Sequence, residues 1–216
     1  MTFRNREEAA QRLAERLAKY KGKNPLVLAI PRGAVPMGKI IADELDGELD
    51  VVLVRKLGAP GNPEYAVGSV DESGAVTVNR DAQGIIDETY LEDEVRKQKE
   101  MMRKRRAFYT PIRLPIDPEN RIVIVVDDGI ATGSTMLAAL HAVRKKNPKK
   151  IIAAVGVAPQ DSTDRLKKAA DEVVCLETPS WFMAVGEFFD AFPQISDEEV
   201  LELLKVSPAS GAIRHL

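Results

Sequence analysis

The sequence predicts an α/β fold, a doubly wound and mostly parallel sheet with helices on both faces. Two observations carry this reading. Five short runs, PLVLAI (25–30), LDVVLV (49–54), RIVIVV (121–126), KKIIAAVGV (149–157) and DEVVCL (171–176), are continuously apolar over most of their length and rich in β-branched residues, as suits strands buried on both faces. Between them lie segments whose apolar residues recur at helical spacing, and that alternation implies parallel strands joined by crossover helices.

At 216 residues the chain suits one α/β domain with an embellishment, numbered 1–216 as a single unit. A chain of this size buries about 70% of its unfolded surface and needs no disulfide or metal staple. The formal net charge of −2 gives no global reason to expect nucleic-acid binding. The single cysteine, Cys175, excludes an internal disulfide and a cysteine-based zinc site, and its apolar setting points to packing. The charged, amphipathic N-terminus lacks the apolar core of a signal peptide, and no run is long enough to span a bilayer. The cytoplasm is the default expectation.

Taken in order, Asn5–Lys19 is predicted as a helix with an apolar stripe through Ala9, Leu13 and Leu17. The strand 25–30 follows, and then a loop, Pro31-Arg32-Gly33-Ala34, opening a helical pattern from Val35. An arginine there can hold a phosphate bidentately while backbone amides approach past glycine, although a lone loop arginine is otherwise just solvated. The strand 49–54 also ends in charge, at Arg55-Lys56.

Residues 57–84 change character, being rich in Gly, Pro, Asn and Asp, and the pieces YAVGSV and AVTVN flank DESG as a β-hairpin would. A long excursion of this kind inside a compact domain reads as a flexible lid. Ile85–Tyr109 is predicted as a long charged helix, so that 57–110 forms one insertion. Its basic run, RKQKEMMRKRR, is read as a solvated face with intrahelical ion pairs; the alternative is a basic face for a phosphorylated substrate or RNA. Pro111–Asn120 is a stiff linker back to the sheet.

The stretch Arg121–Thr135 organises the rest. Its strand is expected to run out at Asp127 and Asp128, two adjacent acids whose mutual repulsion nothing in folding requires. Gly129, Ala131, Thr132, Gly133, Ser134 and Thr135 then form a small-residue loop leading into the helical pattern MLAALHAV. Loop amides and a helix N-terminus suit a phosphate, and the carboxylates suit ribose hydroxyls or a magnesium ion. An ordinary strand–helix connection also carries such residues as turn formers and caps, but it does not call for the acidic pair. Three strand ends thus carry Arg32, Arg55 with Lys56, and Asp127 with Asp128, and ligands of open α/β sheets bind outside the carboxyl ends of the strands.

After the last two strands, with a helix at 161–170 capped by Ser162 or Asp161, the region 177–216 concentrates the aromatics. It holds the only tryptophan, Trp181, with Phe182, Phe188, Phe189 and Phe192. These either cap the core or offer a face on which a heterocycle stacks. Ser196 and Glu199 fit a capping box opening a final helix, and Pro208–Leu216 reads as a frayed tail.

VIVVDDGIATGST (123–135) resembles the binding motif for phosphoribosyl pyrophosphate of the type I phosphoribosyltransferases. The likeness extends in coarse order from about Pro25 to Leu176. The chain looks like the bacterial and archaeal members usually called predicted phosphoribosyltransferases. The resemblance implies that Asp127 and Asp128 hold the ribose hydroxyls, directly or through Mg2+, and that Ala131–Thr135 cradles the 5′-phosphate. Arg32 and Gly33 would form the pyrophosphate loop, with Arg55 and Lys56 adding charge for the diphosphate. The hairpin would close over the reacting centre. The C-terminal region would be a small hood that selects the acceptor, with Trp181 or Phe182 stacking on it, and a homodimer is the family's habit.

Ala131 stands where members acting on 6-oxopurines commonly carry a further acid, which argues against that base chemistry; Glu64, Asp71 and Glu72 are the alternative candidates for a general base. The implied activity is a magnesium-dependent transfer of phosphoribosyl to a nucleobase or related nitrogenous acceptor, with release of pyrophosphate. A rival from another class is a non-catalytic protein that binds the donor or a nucleotide and regulates through RNA or protein contacts. A phosphate-loop or serine hydrolase is disfavoured, because neither GxxxxGK[ST] nor GxSxG occurs.

Overall fold

All four residues of the first strand, β1 (Leu26–Ala29), are buried, and it lies at the centre of the molecule's organisation. The computed structural model describes residues 2–79, 82, 86–109 and 115–205, without the side chains of Pro63, Glu64 and Ala66. The proposed tail, part of the 111–120 linker and the side chain of Glu64 therefore lie outside the described residues.

Helix α1 (Arg6–Arg16) starts at Asn5, whose side chain accepts from the Glu8 amide. After β1 come α2 (Val35–Glu44) and β2 (Glu48–Val51). The next strands are β3 (Val54–Ala59), β4 (Asn62–Asp71) and β5 (Val76–Val78). A long helix, α3 (Glu88–Tyr109), leads back to β6 (Ile122–Gly129), α4 (Ser134–Arg144) and β7 (Lys150–Val157). The chain closes with α5 (Gln160–Leu166), β8 (Glu172–Glu177) and α6 (Asp197–Leu204).

The predicted parallel sheet is present, with five strands in the order β2-β1-β6-β7-β8. Its two faces are read directly from strand alternation. Val27, Ala29, Ile124 and Val126 pack toward Leu13 of α1 and Ile41 of α2, whereas Leu28, Val123 and Val125 pack toward Met136 and Leu140 of α4 and Leu166 of α5. From β1 the chain proceeds outward to β2 on one side, and from β6 outward through β7 to β8 on the other. The carboxyl ends of β1 and β6 are thus adjacent at the point where the direction of winding reverses, the place where such sheets open a ligand crevice.

Two boundaries differ from expectation. The run 49–54 is not one strand: β2 stops at Val51, and Val54–Ala59 pairs antiparallel with β4 in a separate three-stranded sheet, β3-β4-β5. The buried Asp50 carboxylate accepts the Val51 and Ile116 amides and pairs with Arg106, which pins the chain where it leaves the first sheet. An apolar run records burial and cannot record which sheet does the burying. The second difference is that β6 continues through Asp127 and Asp128, and its pairing with β7 reaches Gly129.

The expected hairpin is β4–β5, turned at Asp71–Ala75, where Asp71 accepts from the Ser73 and Ala75 amides. It is anchored, since Leu57, Val67 and Val70 are buried in the main core beside Met102 and Tyr109 of α3. Helix α5 begins after Pro159 rather than at a polar cap, because the Ser162 hydroxyl donates instead to the Ala131 carbonyl at 2.6 Å. The Ser196–Glu199 capping box of α6 forms as predicted. No helix among the described residues is long and apolar enough to cross a membrane.

Candidate active site

The site is assembled from three connections at the carboxyl ends of the strands. After β1, residues 31–34 turn tightly into α2, and the Pro31–Arg32 peptide is cis. Gly33 is required there by close approach: a Cβ at this position would lie 2.5 Å from Oδ2 of Asp128. The β1 loop therefore rests against the second acid of β6.

Adjacent residues of a strand point to opposite faces, so the acidic pair is divided. Asp128 turns to the α1 side, is only 8% exposed, and receives Nε of Arg6 at 2.8 Å. Arg6 also donates to the Pro193 carbonyl at 2.6 Å and lies 3.7 Å from the centre of the Phe192 ring. Asp127 shares the face of Val123 and Val125, toward α4 and the small-residue loop, and its Oδ1 accepts the Asp128 amide at 3.0 Å. Burial, and next the Asp128 charge, push the Asp127 carboxyl well above the usual carboxylate range, only partly offset by the Asp128 amide and then by Arg6. A cation arriving beside Asp127 would favour its ionised form.

The third connection is the loop 130–133. Ile130 donates to the Val157 carbonyl, and Gly133 takes a left-handed φ of 73° that a residue with a Cβ adopts only with strain. Gly133 is also the N-cap of α4, so no side chain caps the first turn. Ala131, Thr132, Ser134 and Thr135 are exposed around it, with the Thr132 and Ser134 hydroxyls 3.1 Å apart. An uncapped first turn with flanking hydroxyls is suited to a phosphate.

Arg55 and Lys56 lie on β3, in the second sheet, yet they line a cleft of about 530 Å³ together with Pro31 and Thr135, under Lys97, Met101 and Arg105 of α3. Burial, and then the nearby charge of Arg105, lower the Arg55 guanidinium from its ordinary value. Arg32 reaches Asp197 of α6 at 3.8 Å.

The aromatic expectation fares differently. Trp181 is 76% exposed and Phe182 stacks on Phe188 with ring centres 5.4 Å apart, and neither residue lines the cleft. Asp71 is engaged in its turn, and Glu72 pairs with Arg106 at 2.6 Å, which leaves both in structural roles.

Two residues at the site were missed from sequence. Arg6 falls on the same helical stripe as Ala10, Leu13 and Leu17, and an arginine on a buried stripe has to meet a carboxylate; that was the available signal. Arg105 was hidden in a basic run in which Arg96, Lys97 and Lys104 do form the expected pairs, with Asp93, Glu94 and Glu100. Its spacing of four from Met101 places both on one face, the face turned to the cleft.

For a metal, the described residues contain no group of three or more His, Cys, Asp or Glu suited to hold one. Asp127 alone faces the loop, an arrangement compatible with magnesium, which is commonly held by one or two carboxylates together with substrate phosphates and water.

The cleft at the reversal point of the sheet is lined by Pro31, Thr135 and the cations Arg55, Lys56, Lys97 and Arg105. A family model described as "Phosphoribosyl transferase domain" matches residues 3–191, and the chain belongs to that family. It is 41% identical over 204 residues to a Mycobacterium tuberculosis H37Rv protein named "Putative phosphoribosyl transferase Rv0571c", covering 94% of this chain and 46% of that one. The chain thus spans about half the length of the curated relatives it matches. The crystal structure of TT1426 from Thermus thermophilus superposes with a TM-score of 0.87 at 44% identity, covering 95% of this chain and 98% of the other. A shorter match, 35% identity over 80 residues, covers 35% of this chain and 29% of a ribose-phosphate pyrophosphokinase from Pyrococcus furiosus.

Proposed function

We propose that the chain is a phosphoribosyltransferase that takes phosphoribosyl pyrophosphate as donor and a nucleobase or related nitrogenous acceptor. The observation that carries this is the meeting of Pro31 from the β1 loop, Thr135 from the uncapped α4 turn and the Arg55-Lys56 pair around one cleft.

In this reading the α4 turn holds the 5′-phosphate and Asp127 takes the ribose hydroxyls. Arg32, Arg55 and Lys56 hold the diphosphate. The C1′–O bond breaks with its electron pair going to the diphosphate, the C1′–N bond forms, and the acceptor's N–H proton is lost. Positive charge develops on the ribose as the bond opens, while the guanidinium and ammonium groups meet the negative charge of the leaving group. Magnesium, carried by the diphosphate and met by Asp127, would supply further charge neutralisation. Gly58, whose carbonyl is held by the Tyr90 hydroxyl at 2.9 Å, fixes β3 at the cleft wall, and closure of the adjoining β3–β4 turn would exclude water. Asp128 has a supporting role: its ion pair with Arg6 and its contact with Gly33 set the position of the β1 loop. The loop offers no base at Ala131, whose carbonyl is engaged by Ser162.

The test is release of pyrophosphate from the donor in the presence of magnesium across a panel of nucleobases and related amines. Turnover with one acceptor, lost in Asp127→Asn, is the expected result. A second reading has one observation in its favour, a groove along α3 beside the β4–β5 turn, lined by Arg96, Lys99 and Arg103 together with the acids Glu72 and Glu100. Donor binding without turnover on any acceptor, together with salt-sensitive RNA binding lost on neutralising those three cations, would replace the enzyme with a donor-sensing regulator.

A further inference from the structure

On the charged helix α3, Arg96 and Lys104 pair within the helix, whereas Arg105 faces Asp197 of α6 at a longer distance. Arg106, its neighbour, makes 2.6 Å contacts with Glu72, while Arg105 comes no nearer than 3.8 Å to Asp197. Arg32 stands at 3.8 Å from the same carboxylate. Both separations exceed hydrogen-bond length, so neither guanidinium has the two parallel short bonds that give arginine its strength with carboxylates and phosphates. Asp197 is positioned independently of them. It lies in the first turn of α6, and its Oδ1 accepts the Tyr109 hydroxyl at 2.9 Å.

Guanidinium groups from three different elements therefore gather in one region: Arg32 after β1 and Arg105 on α3 around the Asp197 carboxylate, and Arg55 on β3 beside Arg105. Arg55 and Arg105 share the cleft wall and repel each other, and among the described residues the side-chain acceptor met by Arg55 is the Met101 thioether, a weak one, 3.9 Å from its Nη2. Glu94 and Lys97, also on the wall, stand 3.9 Å apart on one helix face, as loosely matched as Arg105 and Asp197. Folding alone gains nothing from assembling like charges so poorly matched, and an anion with several oxygens would satisfy all three.

We propose that Arg105 is a diphosphate-binding residue, and that Asp197 is a built-in counter-anion which the diphosphate displaces from Arg32 and Arg105. This rests on the phosphoribosyltransferase reading of the same cleft. It gives the α3 insertion a part in the site, and it makes α6 responsive to whether the leaving group is present.

The experiment is calorimetric titration of the full chain with two probes in magnesium buffer, inorganic diphosphate and ribose 5-phosphate. Arg105→Ala should weaken diphosphate at least tenfold and leave ribose 5-phosphate, held at the α4 turn, within about twofold. Asp197→Asn, which keeps the acceptor for Tyr109, should tighten diphosphate several-fold. Retained ribose 5-phosphate binding shows that a variant is folded, and Arg105→Gln replaces the alanine variant if that control is lost. Diphosphate affinity unchanged in the Arg105 variant overturns the proposal while the phosphoribosyltransferase reading stands, and so does weaker diphosphate binding in Asp197→Asn. Failure of the underlying reading looks different, since the wild-type chain then binds neither probe, and both are overturned.

Discussion

At the scale of single residues, the two neighbouring acids of β6 have been given opposite circumstances. Asp128 is neutralised by Arg6, whereas the Asp127 carboxylate accepts a backbone amide on the other face of the strand. Their neighbourhoods should therefore respond to substitution in opposite directions. Arg6→Ala strands a buried carboxylate and removes a ring contact, and should cost about 3–5 kcal/mol in chemical denaturation. Asp127→Asn should instead melt higher than wild type at neutral pH. The folded Asp127 carboxyl is held above its unfolded value, so its contribution is intact in acid and is lost as pH rises through the raised value. Asparagine has no such loss, and its advantage should grow as pH rises across that window and vanish below it. Equal melting of Asp127→Asn and wild type at every pH would remove the argument.

Among the elements, the docking of the first helical segment onto the sheet rests on a polar node as well as on the Leu13–Leu17 stripe. Glu172, at the start of β8, is met by Lys19 and by Lys150 of β7 at 2.8 and 2.9 Å, and by the Tyr20 hydroxyl at 2.6 Å. Burial alone would raise this carboxyl, but the three hydrogen bonds outweigh it and hold Glu172 down to about 2. The stability it contributes is thus present above the ordinary glutamate value of 4.5 and is lost as pH falls from there toward about 2. Glu172→Gln should unfold more easily at neutral pH and show a shallower acid loss in melts followed by circular dichroism across that interval. Parallel acid curves for the two proteins would show that the node does not stabilise this junction.

Over the whole molecule, the fold class and most of the elements were legible, because each central strand is a continuous apolar run and each helix keeps one apolar stripe. Strand order was not. Leu26–Ala29 is flanked by β2 and β6, and nothing in four buried apolar residues distinguishes one neighbour from another. The fate of Val52–Val54 was hidden for the same reason. The turn into α4 was legible as a turn, since Gly133 and its hydroxyl-bearing neighbours form a local pattern within a few residues of one another. Arg6 and Arg105 were not found, because their roles depend on partners 122 and 92 positions away. The division of labour between Asp127 and Asp128 was obscured by treating both as lying beyond a strand that in fact continues through them.

The clasp formed by Arg6, Asp128 and the Pro193 carbonyl joins a residue made early to residues made late. During synthesis, β1, β6 and the turn into α4 leave the ribosome well before residue 193 does, and through that interval the arginine has only part of its set of partners. The nascent protein can therefore assemble its sheet some time before it can hold its second acid in place. Pro193 follows every strand of the sheet in the chain, so its carbonyl can close the clasp on Arg6 and Asp128 only after the strands that carry them have been made.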